Sequence, residues 1–453
     1  MIRSAIAFYN DLLDDQVAAS TQAHLEAAML SRHLNFGGRP LCTVLRPNFL
    51  TTEQYAYLVR ECEIILGAFQ KAYEALMANP SLRAQLDLTA EEEALIHLDP
   101  GYASPTPVSR LDSFLSHDGT LHFVEYNAET PAGAGYEDVL AEAFLGLPVM
   151  QDFMRRYNVQ KIPVRGKVLE TLLDCYRQWG GTDEPRIGII DWEGVPTTPE
   201  FHIFQQFFEA QGVPTIIATP EELEYRNGQL RAGDFVINIV YKRVLAGELL
   251  RKYGLKHPIV YAVRDGAAVM VNPVRCKLLH KKMSFAVLSD EANARLFSRR
   301  EQAAIEDHIP WTRKVEERKT TYRGQEIDLM SFIMERRERF VIKPNDEYGG
   351  KGVVIGWESE PGEWEQAATD ALEQSSIVQE KVKIHRELFP AYADGRLHIG
   401  ERLVDLDPYL FQGRSVHGCL TRLSASTLLN VTAGAGSVAP TFVIEAKNGI
   451  RDA

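Results

Sequence analysis

Hydrophobic residues recur at helical spacing through the first hundred positions of the chain. After a helix-start signal at Thr51, apolar side chains occupy Leu58, Cys62 and Ile65, which fall on one face of a helix. Helices of this kind bury one apolar stripe and expose their other faces. The pattern predicts a mainly helical N-terminal region that comprises residues 1–105.

Near Val108 the spacing of hydrophobic residues changes from the helical period to the alternation that is typical of β-strands. Residues 121–127 alternate between apolar and polar side chains, which is typical of a β-strand, and they follow a turn that begins at His117. A loop of small residues, 128–135, and then a helix follow that strand. We expect residues 106–180 to form the second part of the molecule.

A third pattern begins where short apolar runs alternate with helical segments. The runs at 186–191, 213–218 and 235–241 are rich in Ile and Val, and a helical pattern separates the first two. Strands that alternate with helices imply a parallel sheet. The sequence therefore predicts a small α/β subdomain that comprises residues 181–275.

The last part of the chain, residues 276–453, returns to short extended pieces. Residues 296–324 are charge-rich and weakly patterned, so we expect an exposed segment or lid there. The extended pieces lie at residues 340–342, 353–355, 377–382, 397–403, 408–411 and 418–423. Together the four parts predict a mixed fold with helices and sheets, α/β or α+β.

Composition and charge narrow the class of protein. The 453 residues are 45% hydrophobic and 25% charged, as in a globular protein, and the net charge is 49 − 62 = −13. A uniformly basic surface is excluded, so we expect no nucleic-acid partner. No run approaches the ~20 apolar residues that span a bilayer, so no membrane association is expected.

The spacing of the cysteines and the first residues of the chain indicate the cellular compartment. The five cysteines are dispersed without metal-finger or redox spacing, which favours reduced, buried thiols. The first fifteen residues lack the basic-then-apolar order of a secretion signal. We therefore expect a cytoplasmic protein.

A glycine-rich loop between two predicted strands has the residues of a phosphate site. Gly349 and Gly350 would let backbone N–H groups approach a phosphate closely, and Lys343 and Lys351 would add positive charge. No helix pattern follows the loop directly, so it is neither a Walker A loop nor a dinucleotide fingerprint. An ordinary hairpin with a flexible tip is the alternative reading.

A group of oxygen-bearing side chains lies on two adjacent extended segments. Because strand side chains alternate, Arg110 and Asp112 lie on one face of their strand, and Glu125 and Asn127 likewise share a face of theirs. If the segments pair as a hairpin, Asp112, Glu125 and Asn127 converge as an all-oxygen cluster of the kind that suits Mg²⁺. A solvated, charged strand face is the alternative.

These motifs together resemble the circularly permuted ATP-grasp family, and within it the synthetase domain of glutathionylspermidine synthase. The resemblance rests on their order along the chain, with metal ligands before the ATP lysines, and covers nearly the whole length. It implies that residues 106–180 form the metal-binding part of the permuted core and residues 276–453 its ATP-binding lobes. The motifs lie at residues 110–112, 125–130, 276–282, 340–352 and 379–382.

The resemblance implies roles for the acidic group and its neighbours. Asp112, Glu125 and Asn127 would hold Mg²⁺, with two ions expected, and Arg110 would contact the γ-phosphate or the reacting carboxylate. Arg422 and residues 430–436, near the chain end, should lie close to the metal site. Arg422 is then a candidate ligand for a carboxylate or a phosphate. A surface ion pair is the alternative for Arg422.

The resemblance also implies the nucleotide contacts. Lys343 would bind the ATP phosphates, and a helix lysine would reach the α- and β-phosphates. Lys282 matches that lysine best and Lys281 stays open, because Lys281 occupies the position of the Asn in the usual Leu-Leu-x-Asn-Lys order. Gln379 and Glu380 would lie along the adenine, with a solvent-exposed strand pair as their alternative.

One further arginine belongs to the predicted α/β subdomain. Arg243 lies at the carboxyl end of a predicted parallel strand, where open α/β sheets bind ligands. In similar proteins this subdomain helps to form the acceptor site. Arg243 is therefore a candidate for that site.

The predicted activity is an ATP-dependent carboxylate–amine ligase that forms an amide through an acylphosphate. Its partners would be ATP, Mg²⁺, a small-molecule or peptide carboxylate and an amine. The length leaves no room for the amidase that often accompanies glutathionylspermidine synthase. Two alternatives remain, namely a catalytically degenerate ATP-binding partner protein and a phosphotransferase on the same scaffold.

Overall fold

The computed structural model describes residues 1–425 and 436–447. Of the predicted glycine-containing stretch at 430–436, only its last residue is therefore described. The α-helices are α1 Ile2–Asp11, α2 Asp15–Ser31, α3 Thr52–Ala78, α4 Pro80–Arg83, α5 Ala90–Ile96, α6 Ala134–Leu145, α7 Pro148–Phe153, α8 Arg165–Trp179, α9 Thr198–Ala210, α10 Ala246–Tyr253, α11 Pro258–Arg264, α12 Lys277–His280, α13 Met283–Ser289, α14 Arg299–His308, α15 Leu329–Glu335 and α16 Pro361–Glu373.

The strands outnumber the helices and form several separate sheets. They are β1 Asn35–Phe36, β2 Arg39–Pro40, β3 Asn48–Thr51, β4 Val108–Leu115, β5 Leu121–Asn127, β6 Tyr157–Lys161, β7 Ile187–Ile190, β8 Thr215–Ala218, β9 Leu223–Arg226, β10 Gln229–Ala232, β11 Phe235–Ile237, β12 Ile239–Lys242, β13 Val269–Val271, β14 Thr312–Lys314, β15 Lys319–Tyr322, β16 Gln325–Asp328, β17 Phe340–Pro344, β18 Val354–Ile355, β19 Ser376–Glu380, β20 His385–Ala393, β21 Arg396–Phe411, β22 Ser415–Ser424, β23 Gly436–Ala439 and β24 Thr441–Ala446.

The predicted helical start of the chain is confirmed. Helix α3 begins with a capping box, in which Thr51 accepts from the Gln54 N–H and Gln54 accepts from the Thr51 N–H. Its buried stripe includes Leu58, Cys62 and Ile65, as the spacing predicts. None of the described helices is long and apolar enough to cross a membrane.

A six-stranded antiparallel sheet forms the centre of the molecule. Its order is β23-β22-β21-β4-β5, and β20 pairs with β21 outside this path. Strand β21 is one continuous element, so the prediction of two short pieces at 397–403 and 408–411 was wrong. The register shifts between Pro408 and Leu410, because a proline has no N–H for the ladder and is accommodated at a bulge.

The predicted small parallel sheet is confirmed, with the order β13-β12-β7-β8 and parallel pairing throughout. The run at 235–241 was predicted as one strand and is two, β11 and β12, in different sheets. Asn238 separates them, and its side chain accepts from the Arg186 N–H at 2.7 Å and donates to the Glu184 carbonyl at 2.9 Å. The domain boundaries at 105, 180 and 275 stay predictions.

The lobe that follows has its own sheet, β14-β19-β17-β18, and its own core. Strands β17 and β18 pair antiparallel, as predicted for the segments that flank the glycine loop. The expectation of an exposed segment at 296–324 was wrong, since it contains helix α14 and strands β14 and β15. Ala304, Ile305 and Trp311 in this segment are buried, and so are the charged residues Glu301 and Arg313.

Candidate functional site

Strands β4 and β5 pair as a hairpin and bring the predicted acidic group together. Arg110 lies opposite Asn127, and Asp112 lies opposite Glu125, with a register shift just after Asp112. The hairpin pairing that the sequence analysis required is therefore present. These four side chains therefore lie on one face of the hairpin.

Asp112 is the centre of a hydrogen-bond network among these side chains. Arg110 donates from Nε to Oδ1 at 2.9 Å and from Nη2 to Oδ2 at 3.2 Å, and Asn127 donates from Nδ2 to Oδ1 at 2.9 Å. Arg110 is fixed in turn by a 2.8 Å bond from Nη1 to the carbonyl of Ala132. Asp112 and Arg110 are both buried.

Arg422 reaches the same carboxylate from strand β22. Its Nη2 donates to Asp112 Oδ2 at 2.6 Å and also to Asp405, and its Nε lies 2.9 Å from Asp407 Oδ2. The surface ion pair considered for Arg422 does not describe this environment, because Asp405 and Asp407 are fully buried. The structure thus brings the chain end back beside the first strands.

Asp405 and Asp407 are potential functional residues that the sequence analysis missed. They lie on β21, directly beside β4, and repeat the alternation of Arg110 and Asp112 on the neighbouring strand. Asp112, Asp405 and Asp407 each place one carboxylate oxygen within 4.8 Å of the others. A search for acidic residues two positions apart on any predicted strand would have found them.

The charges in this group set the protonation of its acids. Burial alone would raise the pKa of Asp112, but the guanidinium groups of Arg110 and Arg422 hold it well below its usual range. Burial raises the pKa of Asp405 and, further, that of Asp407, since Arg422 offsets only part of their desolvation. Asp112 is therefore the most readily ionised of the three.

Two lysines face the acidic group from the opposite side. Lys282 Nζ lies 2.9 Å from Glu125 Oε1 and donates to the Glu347 carbonyl at 2.6 Å. Lys343 Nζ donates to Gln379 Oε1 at 2.7 Å. Burial lowers the pKa of Lys343 to about 8, and Glu125 opposes that shift. This ammonium lies within a buried site and lacks an ion-pair contact of its own among the described residues.

The glycine loop lies next to Lys282 and Lys343. Gly349, Gly350 and Gly352 have φ angles of 67°, 75° and 71°, in the left-handed region that glycine adopts without steric cost. The Lys351 side chain is 76% exposed and lies 3.3 Å from Glu347 Oε2. The loop thus presents backbone and one exposed lysine toward the lysine pair.

These groups line one cavity of about 1050 Å³. Most predicted site residues line it, whereas Arg110 and Asn127 lie outside it and hydrogen-bond to Asp112. The polar part of the wall, with the glycine loop, consists of Asp112, Glu125, Lys282, Lys343, Glu347, Gly349, Gly350, Lys351, Gln379, Glu380, Asp405 and Arg422. Apolar side chains form the remainder, namely Phe114, Val124, Val341, Pro344, Val353, Ile355, Trp357, Val382 and Ile384.

Glu380 and Arg243 differ from the other predicted residues in their contacts. Glu380 lines the cavity, but its Oε1 accepts from the Tyr322 hydroxyl at 2.6 Å and lies 3.1 Å from Arg323 Nη2. Arg243 is buried, donates to the Pro131 carbonyl at 2.7 Å and lies 3.5 Å from Glu200. Arg243 therefore supports the loop before α6 and does not line the cavity.

A second set of buried charges, also missed from the sequence, lies beyond the glycine loop. Glu129 Oε1 accepts from Lys242 at 2.8 Å, and its Oε2 accepts from Lys277 at 3.1 Å. Lys277 also pairs with Asp346, as does Lys281 at 3.2 Å. Lys281 is thus committed to this set, so the geometry favours Lys282 as the helix lysine at the candidate nucleotide site.

A smaller cavity of about 510 Å³ adjoins this second set. It shares Glu347 and Lys351 with the larger cavity, so the two meet at the glycine loop. The other residues that line it are Leu245, Gly247, Glu248, Arg251, Lys277, His280, Asp346 and Tyr348. The arrangement offers two neighbouring compartments with the loop between them.

The donor set of the larger cavity fits a nucleotide with Mg²⁺. Its metal-facing ligands are carboxylate and amide oxygens, which Mg²⁺ prefers, and Asp405 Oδ1 is buried without a hydrogen bond. The glycine loop and two lysines suit phosphate oxygens, and the apolar wall suits a purine. Asp112, Glu125 and Asn127 are the residues that would hold the metal.

No protein-family model matches the chain. Two proteins match at 23% identity, namely "Putative glutamate–cysteine ligase 2-2" from Frankia casuarinae, over 73% of this chain and 38% of that protein, and "Putative glutamate–cysteine ligase 2-3" from Frankia alni, over 72% and 37%. The matched region is thus under two fifths of either relative's length.

A solved structure resembles almost the whole chain. The apo form of a glutathione synthetase-like effector, GSS30, from Globodera pallida superposes with a TM-score of 0.63 at 13% sequence identity. The match covers 95% of this chain and 98% of that one. The mixed fold of helices and sheets predicted from the sequence is confirmed, and the chain has the same overall fold as the glutathione synthetase-like effector.

Proposed function

We propose that this protein is an ATP-dependent carboxylate–amine ligase built on a circularly permuted ATP-grasp fold. One observation carries the proposal, namely that a single cavity is lined both by two lysines with a glycine loop and by the carboxylates of Asp112, Glu125 and Asp405. The ligase names of the Frankia relatives and the fold of the effector support the same reaction class. The substrates of the longer relatives are not assumed for this chain.

In the proposed complex the adenine lies against the apolar wall and Gln379. Lys282 and Lys343 contact the phosphates, and the loop at Gly349 and Gly350 covers them. The phosphate oxygens replace the contacts that Lys282 and Lys343 now make with Glu125 and Gln379. The phosphates are thereby oriented toward Asp112, at the sheet end.

The proposed reaction begins with attack of a substrate carboxylate oxygen on the γ-phosphorus of ATP. An acylphosphate forms and ADP leaves; an amine nitrogen then attacks the acyl carbon, an amide forms, and phosphate leaves with the loss of one proton from nitrogen. Mg²⁺, held by Asp112, Glu125 and Asn127, would neutralise phosphate charge. No protein nucleophile is required, only positioning and charge stabilisation.

Arg110 and Arg422 are the proposed ligands for the reacting carboxylate and the transferring phosphoryl group. Their guanidinium groups now hold Asp112, in a geometry suited to a bidentate carboxylate. Asp405 and Asp407 contact the Arg422 guanidinium and hold it in place. The smaller cavity beside Lys277 and Arg251 is the proposed position of the second substrate, since it opens at the same loop.

The test is release of ADP and phosphate from Mg-ATP in the presence of paired substrates. Glutamate with cysteine is the first pair, because the Frankia relatives carry that name, and a panel of amino acids and amines follows. A ligase releases phosphate fully only when acid and amine are both present. Binding of ATP without release of ADP for any substrate pair would favour the degenerate protein. A stable phosphorylated product from one substrate would favour the phosphotransferase.

A further inference from the structure

A cluster of two imidazoles and one carboxylate lies outside the nucleotide cavity. His117 comes from the turn after β4, and His385 and Glu387 come from the start of β20, two positions apart on one face of the strand. One ligand atom from each of the three lies within 4.8 Å of the others. The two imidazole rings have centroids 4.4 Å apart.

The interatomic distances in this cluster match a metal-ligand set. Glu387 Oε2 lies 2.9 Å from His117 Nε2 and 3.6 Å from His385 Nε2. Ligand atoms of a tetrahedral Zn²⁺, with bonds of about 2.0–2.1 Å, lie about 3.3 Å from each other. The observed distances bracket that value. Both imidazoles direct Nε2 toward the same carboxylate oxygen.

His385 Nε2 is buried and makes no hydrogen bond in the described part of the chain. Its distance of 3.6 Å from Glu387 Oε2 exceeds hydrogen-bond length. A buried ring nitrogen without a hydrogen-bond partner is uncommon, because its desolvation goes uncompensated. A metal ion bound to Nε2 would satisfy it.

The opposite oxygen of Glu387 is held by a buried arginine. Arg46 Nη2 donates to Oε1, and the same guanidinium donates to the carbonyls of Leu388, at 3.2 Å, and Pro47, at 3.1 Å. The guanidinium also lies 4.1 Å from the centroid of the Phe389 ring. This contact orients Oε2 toward the imidazoles, as supporting groups do at metal sites.

Burial would raise the pKa of the Glu387 carboxyl, but Arg46 holds it well below its usual range. The carboxylate is therefore ionised, as a metal ligand must be. The side chain of His117 is 20% exposed and that of Glu387 8%, so the cluster opens to solvent on one side only. An ion can enter, and the open side leaves a position for water.

We propose that His117, His385 and Glu387 form a binding site for a zinc-type divalent transition metal. Two imidazoles and one carboxylate suit Zn²⁺ and its neighbours, whereas the oxygen set in the nucleotide cavity suits Mg²⁺. The site ties the β4–β5 turn to the start of β20, beside Val382 and Ile384 of the nucleotide cavity. It does not depend on the proposed ligase activity.

The test is Zn²⁺ binding to the chelator-treated full chain, measured by competition with a chromophoric chelator. Excess Mg²⁺ is present throughout to occupy oxygen-ligand sites. We expect one tight Zn²⁺ per chain and a loss of affinity of at least ~10-fold in His385→Ala, since removing even a supporting group at such sites costs that much. His117→Ala, in an exposed turn, should give the same loss.

His398→Ala is the matched control, because His398 lies on β21 with its Nε2 near the Ala393 carbonyl, away from the cluster. It should bind Zn²⁺ as the unmodified chain does. Co²⁺ loaded into the unmodified chain should give a visible absorption spectrum typical of imidazole ligands, which does not depend on any variant folding. Absence of tight Zn²⁺ binding, or equal affinity in all variants, would overturn the proposal.

Discussion

Arg422 donates a hydrogen bond to Asp112 over 2.6 Å, although 310 positions separate the two residues in the chain. The same guanidinium contacts Asp405 and Asp407, so one partly exposed side chain compensates three buried carboxylates. The stability of the central sheet should depend on it. This relationship gives the first prediction.

Arg422→Leu should lower the free energy of unfolding by about 3–5 kcal/mol, because it leaves buried acids without their counter-charge. Arg386→Ala is the matched control, since its ion pair with Glu401 is exposed and worth under about 1 kcal/mol. Urea denaturation of both variants measures the difference. Equal losses in the two would show that Arg422 does not stabilise the acidic group.

Lys343→Met should weaken binding of ATPγS by about 10- to 100-fold, since charge-assisted hydrogen bonds contribute about 1.5–3 kcal/mol. The variant removes the ammonium and keeps a side chain of similar length. Lys319→Met is the control, because Lys319 lies exposed on β15. Isothermal titration measures both affinities, and an unchanged Lys343→Met affinity would remove this residue from the site.

Nucleotide affinity should fall as pH rises above about 8. In the free protein, burial holds the pKa of Lys343 at about 8, below its ordinary value, and bound phosphate would raise it. Binding then takes up a proton, so affinity falls by up to about tenfold per pH unit between the two values. Below pH 8 the lysine is already charged and the dependence disappears.

The measurement for this prediction is the ATPγS dissociation constant from about pH 7 to about pH 9 at saturating Mg²⁺. Lys343→Arg is the control, because a guanidinium stays charged throughout this range. Its affinity should not decline with pH. A decline of equal slope in both proteins would assign the titration to another group.

The glycine loop should be cut by protease less readily when nucleotide is bound. Tyr348 is 57% exposed and the Lys351 side chain 76%, so both present cleavage sites in the free protein. Mg-ATPγS should slow cleavage after these residues. Cleavage after Arg396, the exposed first residue of β21, is the internal control and should keep its rate. Equal rates at the loop would argue against a phosphate lid.

Local patterns were sufficient to predict several parts of the fold. The helical spacing around Leu58 and the β4–β5 hairpin with its Asp112–Glu125 pairing depend on neighbours in sequence, as does the β17–β18 pairing. The small parallel sheet followed from alternation of strands with helices. The fold could not be predicted where contacts between residues that are distant in the chain determine it.

Asp405 and Asp407 show why the rest could not be predicted. Their role depends on β21 lying between β4 and β22, a pairing that no local pattern reveals. The sequence pattern also did not indicate the full length of β21, because the strand contains a bulge at Pro408. Likewise, the buried pairs of Lys277 appear only when α12 packs beside the glycine loop.

The most direct test of the central claim is the melting temperature with and without Mg-ATPγS. At ~100 times its dissociation constant the ligand should stabilise the protein by about 2.7 kcal/mol. The melting temperature of the unmodified chain should rise, and the rise should disappear in Glu125→Gln/Asn127→Ala and when Mg²⁺ is omitted. No shift in the unmodified chain, or the same shift in the double variant, would contradict the assignment of this cavity to Mg-ATP.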